Sequence, residues 1–283
     1  MEDPTGGLHD LRVRLVRLCS PLAGRRSRPG APRGAAGHRA GMDGGAGGRG
    51  GGWRAAPGLS GVSAERVRDE LLGIFTEPAS AAGLRLLDGW GALVVMLPER
   101  DAMKETTQSE PHRFDVWEHS LRAVEGADLL AGRARELEPW GDAFAAHLDE
   151  VLGDGATRRE ALKLAALLHD IAKPETRSVE DGRTRFLGHD VRGAERVGEI
   201  AARWRLSGRL AGALERLVRQ HLRPMHLAMA GEVTRRARYR FFRDLGDEAL
   251  DVLLLALADS AALRGDSPTE QSGRARAAAW CAS

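Results

Sequence analysis

The stretch Leu162-Lys163-Leu164-Ala165-Ala166-Leu167-Leu168-His169-Asp170-Ile171-Ala172-Lys173 decides how this chain is read. Its apolar positions predict a helix from about Ala161 to Ala172, headed by a Thr157/Glu160 capping box and stopped by Pro174. A helix this apolar belongs in a core. Burying two adjacent ionisable side chains there is costly unless they are paired or bound to a cation. His169 and Asp170 are therefore candidate ligands of one metal ion.

The same oddity recurs elsewhere along the chain. The stripe Leu210, Leu214, Leu217 and Val218 leads at helical spacing to His221, and Asp259 closes the apolar run that begins at Leu253. His119 lies in a helical segment that starts at Asp115 and carries Trp117, Leu121 and Val124 on one stripe. Singly, each has a bland explanation: a histidine on an apolar face is commonly a hydrogen-bonded core residue, and a helical aspartate commonly faces water. Together, His119, His169, Asp170 and Asp259 offer imidazole and carboxylate donors suited to a divalent cation such as Mn, Mg, Ni, Co or Fe. His189 and His221 are candidates for a second ion or for a phosphate contact. Two ions side by side clamp the attacking and leaving oxygens of a phosphoryl displacement. Lys173, three residues after Asp170 on the predicted helix face, is placed to neutralise phosphate charge or to orient Asp170; a helix-end cation is its alternative role. The candidate catalytic groups are thus Lys173, Asp170 and His189.

Around this centre the pattern is all-α. Ser63 is a good N-cap for a helix carrying Val67, Leu71, Ile74 and Phe75, and a second short helix spans about Ala79 to Leu87. Leu93 to Leu97 is a short apolar run of ambiguous type. Phe144, His147, Leu148 and Val151 make a further helical stripe within a segment, Gly132 to Gly155, that reads as a local elaboration. One hairpin is expected between Thr176 and Phe186, turning at Asp181-Gly182. Helices follow from about His189 to Trp204, Ser207 to His221, Thr234 to Arg243 and Asp247 to Leu263, and the tail from Asp266 looks loose. Near the start, Leu11 to Leu15 alternates apolar and basic like a half-exposed strand. Pro21 to Gly52 is Gly, Arg, Ala and Pro with almost no large apolar residue, a composition that predicts disorder.

With 283 residues and 42% hydrophobic content, the chain is long enough for a real core. No apolar run reaches the roughly 20 residues of a membrane span. Met1 is followed by Glu2 and Asp3 rather than by a basic region and an apolar stretch, which predicts no export signal and a cytoplasmic protein. The two cysteines, Cys19 and Cys281, fit no metal or redox spacing. A net charge of +2 does not by itself imply nucleic acid. Only three of the 42 basic residues are lysines, and this dominance of Arg suggests GC-rich coding. One local cluster stands out: Arg236, Arg240 and Arg243, with Arg235 and Arg238, interleave with Tyr239 and Phe242. It reads either as an RNA-binding surface or as a solvated basic face in which Phe241 and Phe242 are core anchors.

Phe114 to Leu121, Leu167 to Thr176 and Phe186 to Ala194 resemble the HD superfamily of metal-dependent phosphohydrolases, and more narrowly the HD region of bacterial tRNA nucleotidyltransferases and poly(A) polymerases. Val218 to Pro224 and Arg240 to Asp244 fit the same family, and Val62 to Leu71 resembles the segment leading from its neck into its body. The resemblance covers roughly Gly61 to Leu263. It implies an all-α HD bundle with one short hairpin, metal ligands at His119, His169, Asp170 and Asp259, and hydrolysis of phosphate esters, including 2′,3′-cyclic phosphates in some members. The family's nucleotide-adding head holds magnesium with an Asp-x-Asp pair, and these 283 residues contain none; Asp3 to Leu11 resembles only the last hairpin of that head. The expected organisation is therefore a head remnant over 1–20, a disordered or frame-shifted linker over 21–60, a helical neck and body segment over 61–110, the HD domain over 111–265 and a loose tail over 266–283. The expected function is metal-dependent hydrolysis of nucleotide or RNA-terminal phosphate esters, without nucleotide addition by this chain alone. The alternative is a non-catalytic tRNA-binding or RNA-binding remnant.

Overall fold

The computed structural model describes residues 62–110, 112–137, 139–230 and 233–263. The strand expected at Leu11 to Leu15, the Gly/Arg-rich segment and the tail from Asp266 lie outside the described residues. Helix α1 (Ala64–Phe75) starts where Ser63, in extended conformation, accepts a hydrogen bond on its side chain from the Arg66 amide. It leads to α2 (Ser80–Gly89), a single turn α3 (Leu93–Met96) and α4 (Arg100–Lys104). The apolar run at Leu93 is thus helical, and it stops before Pro98, which disfavours helical backbone in the residue preceding it.

The central element is α7 (Arg158–Leu168), opened by the Thr157/Glu160 capping box and buried at every position except Arg159. Helices α5 (Val116–Gly132) and α13 (Ala249–Ala262) pack along each other and against α7, while α9 (His189–Arg203) pairs with α10 (Gly208–Gln220), which also lies on α7. Gly126 is what lets α5 and α13 approach: a Cβ there would sit 3.0 Å from the Ala258 Cα and 3.1 Å from its carbonyl oxygen.

Three expectations are corrected. The HD helix ends at Leu168, four residues early. Pro174 has no N–H to donate to the carbonyl of Asp170, so the chain tightens into turns closed by Ile171 N to Leu168 O (3.1 Å) and Lys173 N to Asp170 O (3.0 Å). It restarts as α8 (Lys173–Thr176), with Pro174 in the first turn, where a missing donor costs nothing. The fold also has two hairpins rather than one. β3 (Arg177–Glu180) and β4 (Arg183–Phe186) turn at Asp181 and Gly182, with φ of 51° and 73°. In addition, β1 (Val151–Gly153) and β2 (Ala156–Thr157) turn at Asp154 and Gly155, with φ of 55° and 75°. Val151 consequently leaves the stripe assigned to it: α6 (Gly141–Leu148) ends first, and Val151 is exposed on β1. Finally, α11 (Arg223–Met229) forms directly after His221, again with a proline, Pro224, in its first turn, followed by α12 (Arg235–Leu245).

The first four helices are fastened to the bundle by polar contacts. Lys163, buried in α7, donates to Phe75 O (3.0 Å), Glu77 O (2.8 Å) and Ser80 Oγ (3.2 Å), and pairs with Asp128 of α5 at 2.9 Å. Asp88 of α2 accepts from Trp117 Nε1 at 3.1 Å and pairs with Arg100 and Lys104 of α4. Trp204 Nε1, at the end of α9, donates to Met96 O at 3.0 Å.

Two stability predictions follow from these contacts. Lys163→Met leaves Asp128 buried without its cation, and urea unfolding is expected to show a loss of about 3–5 kcal/mol. Gly126→Val forces α5 and α13 apart and is expected to cost about 1–3 kcal/mol in the same measurement.

Candidate metal centre

Five separate elements each bring a ligand-type side chain to one point inside the bundle. His119 comes from α5 one turn after its N-cap, Asp115, whose carboxylate accepts from the Glu118 amide at 2.7 Å. His169 and Asp170 lie in the turn forced by Pro174. His189 is the first residue of α9, after Gly188 in the left-handed region at φ 77°. His221 caps the end of α10, and Asp259 projects from α13. All but Asp259 are buried; its side chain is 19% exposed, so the site opens on that side.

The donor atoms form two groups, each drawn together to within 4.8 Å: His119, His169 and Asp259, and then Asp170, His189 and His221. Asp170 turns one oxygen to each. Its Oδ2 lies 3.5 Å from His119 Nε2 and 3.2 Å from His169 Nε2, and its Oδ1 lies 3.3 Å from His189 Nε2 and 3.9 Å from His221 Nε2. Asp259 Oδ1 is 2.9 Å from His119 Nε2 and 3.6 Å from His169 Nε2. Adjacent ligands held about 2.1 Å from a small octahedral ion stand about 3 Å apart, so these separations suit a divalent cation.

The hydrogen bonding points the same way. Nδ1 of His169, His189 and His221 is bound to the carbonyls of Ala166 (2.9 Å), Phe186 (2.7 Å) and Val218 (2.6 Å). A carbonyl can only accept, so Nδ1 carries a proton and Nε2 faces inward. Those three Nε2 atoms and Asp170 Oδ2 are buried without a hydrogen-bond partner. Inward Nε2 lone pairs, each oriented by a carbonyl behind the ring, are what a metal needs from imidazole. The orphaned atoms are costly unless something else meets them. These residues could hold a divalent metal ion.

Charge dominates the electrostatics. Burial alone would lower the His169 pKa, but Asp170 and Asp259 outweigh it and raise it from 6.5 to about 10. Burial would raise both carboxylates; His169 and Lys173 hold Asp170, and His119 and His169 hold Asp259, well below the usual carboxylate range. His221 is lowered to about 4 by burial and by neighbouring His169. Lys173 Nζ lies 2.7 Å from Asp170 Oδ2 as an ion pair, while its hydrogen bond goes to Gln108 Oε1, also at 2.7 Å.

That last contact exposes a wall that sequence reading missed. The segment joining α4 to α5 lines the centre. Gln108 holds Lys173 and donates from Nε2 to Phe114 O (3.2 Å), Ser109 Oγ accepts from the Thr184 amide of β4 (3.2 Å), and the His112 ring stands edge-on to His119 with centroids 5.2 Å apart. The His112 pKa is lowered to about 4 by burial and by Lys173. No periodicity marks such a loop; its polar residues are the only signal. Arg236, Arg240 and Arg243 are not among the residues that converge on the centre. They lie on α12, where Arg243 pairs with Asp244 at 2.6 Å.

An all-helical bundle that gathers four histidines and two aspartates from five elements defines a class of helical proteins built around a His/Asp centre. The HD domain family model matches residues 116–263, just over half of the chain, so this chain belongs to the HD family. A second model, described as the probable RNA and SrmB-binding site of polymerase A, matches residues 53–104. Among curated relatives, an A-adding tRNA nucleotidyltransferase from Deinococcus radiodurans is 35% identical over 73% of this chain and 41% of its own length. A CC-adding tRNA nucleotidyltransferase from Thermus thermophilus is 35% identical over 71% of this chain and 40% of its own. A multifunctional CCA protein from Variovorax paradoxus is 29% identical over 74% and 45%. The chain spans less than half the length of these relatives. Among the described residues, no helix is long and apolar enough to cross a membrane.

The electrostatics generate a titration prediction for the chain stripped of metal with EDTA. Histidine NMR is expected to show His221 and His112 titrating near pH 4 and His169 near pH 10. The raised His169 adds stability that is fully present below the ordinary 6.5 and lost as pH climbs through about 10. The lowered His221 acts oppositely: the unfolded chain takes up its proton first, so stability falls as pH drops from 6.5 toward about 4.

Proposed function

We propose that this chain is a metal-dependent phosphohydrolase acting on nucleotide or RNA-terminal phosphate esters. The observation that carries the reading is the pair of ligand groups built around His169-Asp170, with Asp170 presenting one oxygen to each. Two neighbouring divalent ions, of the Mn, Mg, Ni, Co or Fe type, suit that arrangement, with His119, His169 and Asp259 on one side and His189 and His221 on the other. A bound ion would supply Lewis acidity to a phosphoryl oxygen and lower the pKa of water.

The protein's own groups do the rest. The two low-pKa carboxylates stay ionised and attract the cations, and the backbone carbonyls behind His169, His189 and His221 keep their Nε2 atoms turned inward. Lys173 adds a positive charge beside Asp170, where it balances phosphate oxygens, and Gln108 fixes its position. Burial of the ligands excludes bulk water and strengthens each of these charges. The RNA-directed part of the proposal draws on the RNA-binding family match and on the names of the relatives. Nucleotide addition is not assigned to this chain, which contains no Asp-x-Asp pair.

Metal analysis of the purified chain, combined with turnover of bis-p-nitrophenyl phosphate and 2′,3′-cyclic AMP, tests the proposal. Divalent-dependent turnover is expected. His169→Ala and Asp170→Asn should lose both bound metal and turnover, by about 100-fold or more, since even residues that merely support metal ligands cost 10–100-fold. Lys173→Met should keep the metal and lose turnover. A folded chain that takes up no divalent ion and turns over neither ester overturns the reading. Salt-dependent tRNA binding without turnover would favour a non-catalytic RNA-binding role.

A further inference from the structure

We propose that the exposed face of α12 is a docking surface for single-stranded RNA, with arginines on the phosphates and two aromatic rings under the bases. Helix α12 is capped by Thr234, whose Oγ1 accepts from the Ala237 amide at 3.2 Å. It is anchored on one side by Phe241 and Leu245, both buried. The opposite side carries two adjacent rows at i, i+4, i+7 spacing: Arg235, Tyr239 and Phe242, and beside them Arg236, Arg240 and Arg243. Each row spans roughly 10 Å at the helical rise, enough for a few nucleotides.

The two phenylalanines divide their work. Phe241 is fully buried, whereas Phe242 is 44% exposed and Tyr239, the chain's sole tyrosine, is 67% exposed. The core therefore uses one ring and leaves two in water among cations. The charge is also unspent. Arg235, Arg236, Arg238 and Arg240 make no ion pair among the described residues, while many arginines elsewhere are neutralised, as Arg192 and Arg196 are by Glu175. The one acid on α12, Asp244, is engaged by Arg223 and Arg243, which lower its pKa. Arg223 also lies over the Phe241 ring at 5.5 Å, tying α12 to the segment that leaves His221. Free guanidinium groups interleaved with exposed rings match a flexible polyanion that carries flat bases: the cations meet its phosphates and the rings stack on any base. A rigid duplex keeps its bases stacked on each other and cannot use the rings. The choice of RNA rests on the RNA-directed reading above; the surface itself does not depend on hydrolysis.

The test is fluorescence anisotropy of the full chain with a labelled oligoadenylate of about 12 nucleotides, in EDTA, with a duplex of equal length as comparison. Metal independence of this binding separates it from any failure of the hydrolase reading. Single-stranded RNA is expected to bind more tightly than duplex. In Arg235→Gln/Arg236→Gln/Arg240→Gln, the slope of log affinity against log salt should shrink by about 2, since each phosphate contact contributes about 0.7. Tyr239→Ala/Phe242→Ala keeps every charge and should weaken binding at least about tenfold while leaving the salt slope unchanged. Circular dichroism and metal content of both variants should match those of the parent chain. Equal affinity of the parent and the arginine variant overturns the proposal. So does equal affinity of the aromatic variant, which would leave a charge-only attraction for any polyanion.

Discussion

The structure depends on burying His169 and Asp170 at the end of the most deeply buried helix in the fold. An ionised carboxylate cannot sit there alone, and every element around α7 supplies something that Asp170 requires. His119 and Asp259 approach from α5 and α13, His189 and His221 from α9 and α10, and Lys173 from the turn that Pro174 enforces. The inward partners outweigh the burial that would otherwise neutralise the carboxylates, so both stay ionised inside the bundle. Their attraction still leaves the Nε2 atoms of His169, His189 and His221 without a hydrogen-bond partner. The bundle is thus folded around a polar centre with inward ligand atoms left over, an arrangement that could hold a cation.

Much of this was legible because buried charge is anomalous within an apolar period. His169-Asp170, His221 and Asp259 each interrupt a helical stripe that predicts burial, and all three sit at the shared centre. The helices with strong caps, at Ser63, Thr157 and Thr234, begin where their side chains announce them. What escaped sequence reading had no period to betray it. β1 and β2 are too short to alternate, and only Asp154-Gly155 marks their turn. The break at Leu168 was hidden because the apolar pattern runs on to Ala172; the tight turns closed by Ile171 N and Lys173 N ahead of Pro174, not a loss of hydrophobicity, end the helix. Gln108 and His112 lie on a connecting loop whose contribution depends on tertiary folding, and Phe241 and Phe242 are told apart only by which side of α12 meets the core.

Helix α5 joins the two parts of the molecule. It carries His119 into the centre, presents Trp117 to Asp88, and supplies Asp128 to Lys163 and Gly126 to α13. The region matched by the RNA-binding family model and the HD region therefore meet on one rigid element rather than through a free linker. Trp117 lies two residues before His119, so a displacement of α2 at Asp88 acts on the first turn of α5, where the ligand sits. The segment from α4 to α5 adds a second connection, since Gln108 reaches Lys173 and Ser109 reaches β4. Both routes end on groups that touch Asp170 directly, Lys173 at 2.7 Å and His119 at 3.5 Å. The carboxylate that organises the bundle is consequently also the point at which the position of the first four helices bears on the chemistry of the centre.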